Sequence, residues 1–200
     1  RDATARICRE KGYHLLDLPV NLGLAGGFQA GLKYAWENNY SYAIQFDGDG
    51  QHRPEYIQPM KEKMEEGYDI VIGSRFLTEK KSRSMRMLGS GLLSLAIRLT
   101  TGTRIKDPTS GMRMFSRKMI EEFALSLNYG PEPDTVSYLL KQGARVAEVQ
   151  VKMDERTAGV SYLNPVNASK YMIKMLFSIL VIQNFRKRDK RYSKKEGKQK

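Results

Sequence analysis

An α/β domain with a mostly parallel sheet flanked by helices is predicted by two observations. Short apolar runs of strand length alternate with helical patterns, and Asp-Gly or glycine-rich turns close those runs. The chain has 200 residues with 40% apolar content, enough for one cored domain plus an appendage. The expected division is a folded domain over 1–163, an amphipathic helix over 164–185 and a basic, disordered tail over 186–200.

Taken in order, residues 2–10 read as a helix start with Asp2 as N-cap, and His14–Leu18 as a strand. Asn21-Leu-Gly-Leu-Ala-Gly-Gly27 reads as a glycine-rich loop before a helix over Phe28–Trp36. It matches neither Gly-x-Gly-x-x-Gly nor a Walker loop, and leaves only the generic ability of a helix N-terminus to take an anion. A tight strand-to-helix turn is the equal alternative.

Tyr42–Phe46 reads as a buried strand, ended by the turn Asp47-Gly-Asp49-Gly-Gln51. In open α/β sheets, ligands bind beyond the carboxyl ends of strands. Carboxylates at i and i+2 can share one hard cation, with the Gln51 amide oxygen as a third ligand. Magnesium is commonly held by one or two carboxylates and completed by substrate phosphates, so this stretch is half a site awaiting a nucleotide diphosphate. A calcium loop of the EF-hand kind is rejected, because His52 and Gln58 occupy the positions that need Gly and Glu. An Asp-Gly turn with solvated acids is the remaining alternative.

Pro54 opens a helix over Glu55–Glu66, and Tyr68–Gly73 is a strand leading to Ser74-Arg75, which brings Arg75 to the same sheet edge as Asp47. Lys80–Arg86 lacks periodicity and reads as a loop, Leu88–Leu99 as a helix. Asp107-Pro-Thr-Ser-Gly-Met-Arg113 is a turn leading into an alternating strand, with Arg113 either functional or a structural ion-pair partner. A helix over Arg117–Leu125 follows, then an acidic turn in which Glu132 and Asp134 sit at the start of a helix opened by Pro133. Arg145–Val151 is a strand, and Lys152–Ser161 a polar loop with Arg156.

After Pro165, the longest apolar stretch is Met175–Ile182, far short of the roughly 20 residues a bilayer span needs. A buried, partner-binding or interfacial helix is expected. The net charge is +12, and nine Lys or Arg against Asp189 and Glu196 place seven of those charges between Arg186 and Lys200. Such a tail behind an apolar helix suits an anionic membrane surface. A nucleic-acid or partner-binding module without catalysis is the rival of another class, but only Tyr192 is interleaved with the cations, too few aromatics for a stacking platform. The single cysteine, Cys8, forms no internal disulfide and reads as a small buried residue, which with no signal peptide suggests a reducing compartment.

Several of these stretches, in this order, resemble the family 2 glycosyltransferases of GT-A (Rossmann-like) fold, in particular the dolichyl- and polyprenyl-phosphate sugar transferases. They are Asp2-Ala-Thr4, Asn21-Leu-Gly23 with Ala25-Gly26, Asp47–Glu55, Gly73-Ser-Arg75, Asp107–Arg113, and Glu155-Arg156 with Gly159 and Ser161. The resemblance implies that Asp47, Asp49 and Gln51 hold Mg²⁺ or Mn²⁺ against the diphosphate of a nucleotide-sugar donor, with Asp2, Asn21 and Gly23 also toward the donor. It implies inverting transfer to a lipid-phosphate acceptor, with Arg75, Arg113 and Arg156 near the acceptor and diphosphate. A glycan hydroxyl as acceptor is the alternative, and would need Glu132 or Asp134 as general base. It also implies work at the cytoplasmic face of a membrane. The strand and loop that open such domains are missing ahead of Arg1, so an N-terminally truncated domain is expected.

Overall fold

The computed structural model describes residues 3–79, 85–126, 130–154 and 165–186. Asp2, Glu155, Arg156, Gly159, Ser161 and the tail beyond Arg186 lie outside them. The element order is α1 (Thr4–Glu10), α2 (Gly23–Glu37), β1 (Tyr42–Gln45), a 3₁₀ turn (Pro54–Tyr56) running into α3 (Ile57–Glu65), β2 (Ile70–Ser74), α4 (Met85–Thr101), β3 (Arg113–Ser116), α5 (Arg117–Leu125), α6 (Pro133–Lys141), β4 (Val146–Gln150) and α7 (Pro165–Phe177). A π-helical turn (Ser178–Ile182) carries α7 on into α8 (Gln183–Phe185).

The result is a mixed α/β fold, and it corrects the expected direction of the sheet. Four strands lie in the order β1-β3-β2-β4. β2 and β4 pair in parallel, but β3 runs antiparallel to both of its neighbours. β1, β2 and β4 therefore share one direction with β3 inserted against them. Because β3 is reversed, its first residue lies at the edge where β1 and β2 end: Arg113 pairs with Gln45 on one side and Ile72 on the other.

Both faces of the sheet are covered, which the alternation in β3 explains. Phe115 points with Ile70 and Ile72 into a core shared with α2, α4, α5, α6 and α7. Met112, Met114 and Val71 point the other way, onto Met60 and Met64 of α3. The rings of Phe28, Phe115 and Phe123 meet edge to face at 5.2–5.5 Å, fastening α2 to β3 and α5.

Other expectations need correcting. His14–Leu18 is not a strand; it runs as irregular, largely exposed chain. The glycines read as a loop instead begin α2, whose first residue, Gly23, takes φ +68 and donates its N–H to Asn21 Oδ1 at 2.8 Å. Ala3 rather than Asp2 is the N-cap of α1. No α1 residue is buried, and Cys8 is only partly covered. β1 is half-buried and at the border of the sheet rather than deep inside it. α5 spans the expected residues, its N-cap Ser116 accepting from the Met119 N–H.

Candidate functional site

The acid turn is built by β1 ending and the chain folding back on itself. Asp49 Oδ1 accepts the Gln51 N–H at 3.0 Å, and the Asp47 N–H donates to His52 Nδ1 at 2.9 Å. That second bond fixes the His52 tautomer with its proton on Nε2, which lies 3.8 Å from Asp47 Oδ2. The imidazole is buried and packs edge to face on Phe46 at 5.4 Å. Burial lowers its pKa against the opposing pull of Asp47 and Asp49, while the positive charge of Arg75 lowers it further. The charges of both aspartates and of Arg75 thus converge on one neutral ring.

The turn before β3 closes against these acids. A methyl group at Gly111 would stand 3.1 Å from Asp47 Oδ2 and 3.6 Å from His52 Cε1, so any larger residue there would press on the Asp47 carboxylate. The same turn is anchored by Ser110, whose Oγ donates to the Gly73 carbonyl at 2.5 Å. On the far side, the Asp154 N–H donates to the Gln51 carbonyl at 3.0 Å, and Arg53 grips the Asp154 carboxylate with Nε and a terminal nitrogen. The ends of β1, β2 and β4 and the start of β3 thereby meet at one edge.

The arginines of this edge are held differently from its acids. Arg75 forms a fork on Asp107, with Nε to Oδ2 at 2.7 Å and NH2 to Oδ1 at 2.8 Å, and its backbone N–H adds a third bond at 3.1 Å. Asp107 is fully buried. Burial pushes its carboxyl up, but the hydrogen bonds and charge of Arg75 outweigh that and hold it below the usual carboxylate range. Glu148 accepts the Lys106 and Asp107 N–H groups at 2.7 and 2.8 Å and so fixes the turn from β4.

Arg113 is 2% exposed, and its guanidinium donates to the carbonyls of Ser110, Pro131 and Pro108 at 2.8–2.9 Å. It thus ties the 107–111 turn to the acidic turn before α6. Glu132 there accepts from the Tyr171 hydroxyl, and Asp134 from Ser178 Oγ at 2.6 Å. Burial, then the charge of Glu132, pushes the Tyr171 phenol far above its ordinary range, so it stays a donor. A methyl group at Gly130 would stand 3.5 Å from Ala25 Cβ at the start of α2, so this turn runs close to that helix.

The structure therefore gathers Asp47, Asp49, Gln51 and Arg75 at one edge and sets Arg113, Glu132 and Asp134 behind it. Sequence reading missed His52, Asp107, Gly111 and Glu148 as components of this edge. The Asp-Pro-Thr-Ser-Gly run was a signal for two of them, since a glycine closing a polar turn marks close backbone approach.

Whether a divalent ion suits these residues is a question of donor chemistry. Asp47 and Asp49 offer hard oxygens, the Asp47 side chain is 41% exposed, and among the described residues no Lys or Arg pairs with it. Among the described residues no group of three or more metal-binding side chains occurs. Two carboxylates without a protein cage fit a cation that takes its other ligands from water and phosphates.

Comparison with known proteins follows the same residues. Polyprenol monophosphomannose synthase of Mycolicibacterium smegmatis is 28% identical over 169 residues, covering 81% of this chain and 64% of that protein. Undecaprenyl-phosphate mannosyltransferase of Micrococcus luteus is 28% identical over 169 residues, 81% of this chain and 69% of that protein. A UDP-N-acetylglucosamine--dolichyl-phosphate N-acetylglucosaminyltransferase of Methanococcus voltae is 30% identical over 142 residues, 66% of this chain and 55% of that protein. The chain thus spans between about half and two thirds of the length of these relatives. The model of glycosyl transferase family 2 matches residues 1–124, which hold the acid turn, Arg75 and the whole 107–113 turn, and the chain belongs to that family.

Proposed function

We propose that this domain transfers a sugar, with inversion, from a nucleotide-sugar donor to a polyprenyl phosphate at the inner face of a membrane, dependent on Mg²⁺ or Mn²⁺. The observation that carries the reading is the half-exposed acid turn 47–51, braced by a neutral His52 and by the nearby Gly111 backbone. Asp47 and Asp49, with Gln51 beside them, would hold the ion. When bound, it supplies Lewis-acid stabilisation to the departing nucleotide diphosphate.

The protein's own residues do the rest. His52, bonded to the Asp47 N–H, fixes where the turn leaves β1, and the Gln51–Asp154 contact holds its far end. Arg75 is positioned by Asp107 and is 28% exposed on its side chain, so one face remains for an anionic group of donor or acceptor. Glu132 and Asp134 each already accept a hydrogen bond within the protein, from the Tyr171 hydroxyl and from Ser178 Oγ, so neither presents a carboxylate wholly free for an acceptor. An acceptor whose attacking oxygen is already anionic needs no such base, and this favours a phosphate over a glycan hydroxyl. The names of the M. smegmatis and M. luteus relatives support the same class of acceptor. No helix among the described residues is long and apolar enough to cross a membrane.

The test is nucleotide diphosphate binding read by thermal shift with and without Mn²⁺. Asp49→Ala is expected to abolish the Mn²⁺-dependent part and leave the unliganded melting temperature near wild type. Unchanged metal-dependent binding would remove these carboxylates from the site.

A further inference from the structure

Helix α4 leaves an apolar stripe uncovered. Leu88, Leu92, Leu95 and Leu99 follow one another at helical spacing and are each between 50% and 73% exposed. The opposite face of α4 is fully employed, with Leu93, Ala96 and Ile97 in the core. Scattered surface leucines need no explanation, but four in register on a helix already anchored by its other side do.

The neighbouring helix has the same character. α7 meets α4 where Met172 packs on Gly89, close enough that a methyl group at Gly89 would collide with it. It buries Met175, and the π-helical turn that continues it buries Ile179, while Ile173, Phe177 and Leu180 stay in solvent. Its polar outward residues include Lys170 and Lys174.

Charge decides what could cover such a face. From Lys80 to Lys106 there are seven Lys or Arg, and from Arg156 to Arg188 six, and neither stretch contains an Asp or Glu. Arg98 is exposed on α4, and Arg104 and Lys106, with Glu79 as the one acid, line an open cleft of about 420 Å³ on the flank of the stripe. Apolar side chains among an excess of cations are complementary to an anionic lipid surface, where insertion and electrostatic attraction add.

We infer that α4 and α7 together form a docking face for an anionic bilayer, with the leucine stripe as its inserted edge. This deepens the transferase reading and rests on it only for the identity of the acceptor.

The test is co-sedimentation of the full chain with vesicles of phosphatidylcholine, alone or mixed with phosphatidylglycerol. Wild type is expected on the mixed vesicles, and a Leu92→Glu, Leu95→Glu double variant to lose at least about tenfold in partitioning. Leu125→Glu, an exposed leucine on α5 away from this face, is the control and should bind as wild type. Should the double variant not fold, Leu99→Gln alone serves and is expected to weaken binding in the same direction. Binding unchanged by these substitutions overturns the inference. So does a lipid-free dimer of wild type that the substitutions dissociate, which would assign the face to a second copy of the chain. Mn²⁺-dependent nucleotide diphosphate binding, measured in parallel, separates the two readings: its loss in wild type sinks the transferase site and leaves the docking face standing.

Discussion

Two neighbouring parts of one sheet edge treat charge in opposite ways. At the end of β1, the Asp47 carboxylate lies beside a neutral histidine and the Gly111 backbone, 41% exposed, with no Lys or Arg among the described residues paired to it. At the same edge, the Arg75 and Arg113 guanidiniums each make three hydrogen bonds within the protein, and Asp107 accepts all of its own from it. The comparison teaches that a charged residue at a sheet edge is not by itself a ligand contact. What separates frame from site is whether the desolvated charge already has its partners, because a buried charge must be satisfied before a ligand arrives.

The contrast is broken most severely at Arg113. Replacing it by Met would strand the carbonyls of Ser110, Pro108 and Pro131 without donors in a dry interior, and we expect about 3–5 kcal/mol of destabilisation. Urea denaturation measures it. A loss within the range of an ordinary surface substitution would show that the frame is not held by this cation, and that Arg113 is available to a ligand after all.

Asp107 comes next. Asp107→Asn keeps the shape but removes the charge from the fork, and about 2 kcal/mol is expected, the cost typical of a charged hydrogen bond. The same residue sets a pH dependence. Its folded pKa lies below the unfolded value, so the stability it contributes is complete above about pH 4 and is lost as pH falls toward the folded pKa. Urea titrations across that window should show wild type losing stability faster than Asp107→Asn; parallel curves would mean that Asp107 is not the linked group.

Much of the frame was readable in the sequence, and the reasons are local. Prolines at 54, 133 and 165 open helices where they were expected to, because a fixed φ and a missing donor suit a first turn. Ser116 caps α5 for an equally local reason. The direction of β3 was not readable, since antiparallel and parallel partners ask for the same alternating residues and only the distant neighbours Gln45 and Ile72 choose. Gly23–Gly27 misled because glycine weakens a helix locally, while packing of Phe28 on Phe115 and Phe123 restores it at long range. At the site, Asp47 and Asp49 were legible from spacing alone. Their support was not: the Gly111 contact and the Arg75–Asp107 fork join residues 64 and 32 positions apart.

The finest separation between frame and site lies at Gly111, which touches both. Its φ is not positive, so alanine meets no backbone penalty there, and the only near atoms are Asp47 Oδ2 at 3.1 Å and the His52 ring. The carboxylate, being the end of a side chain, can turn away to make room, and stability should fall by no more than about 1 kcal/mol. Turning away is, however, what a cation site cannot tolerate, because two carboxylates must present oxygens toward one point. Gly111→Ala is therefore expected to weaken Mn²⁺-dependent nucleotide diphosphate binding about tenfold while moving the urea midpoint little. If binding held and stability collapsed instead, the glycine would belong to the frame, and the acid turn would owe nothing to the loop pressed against it.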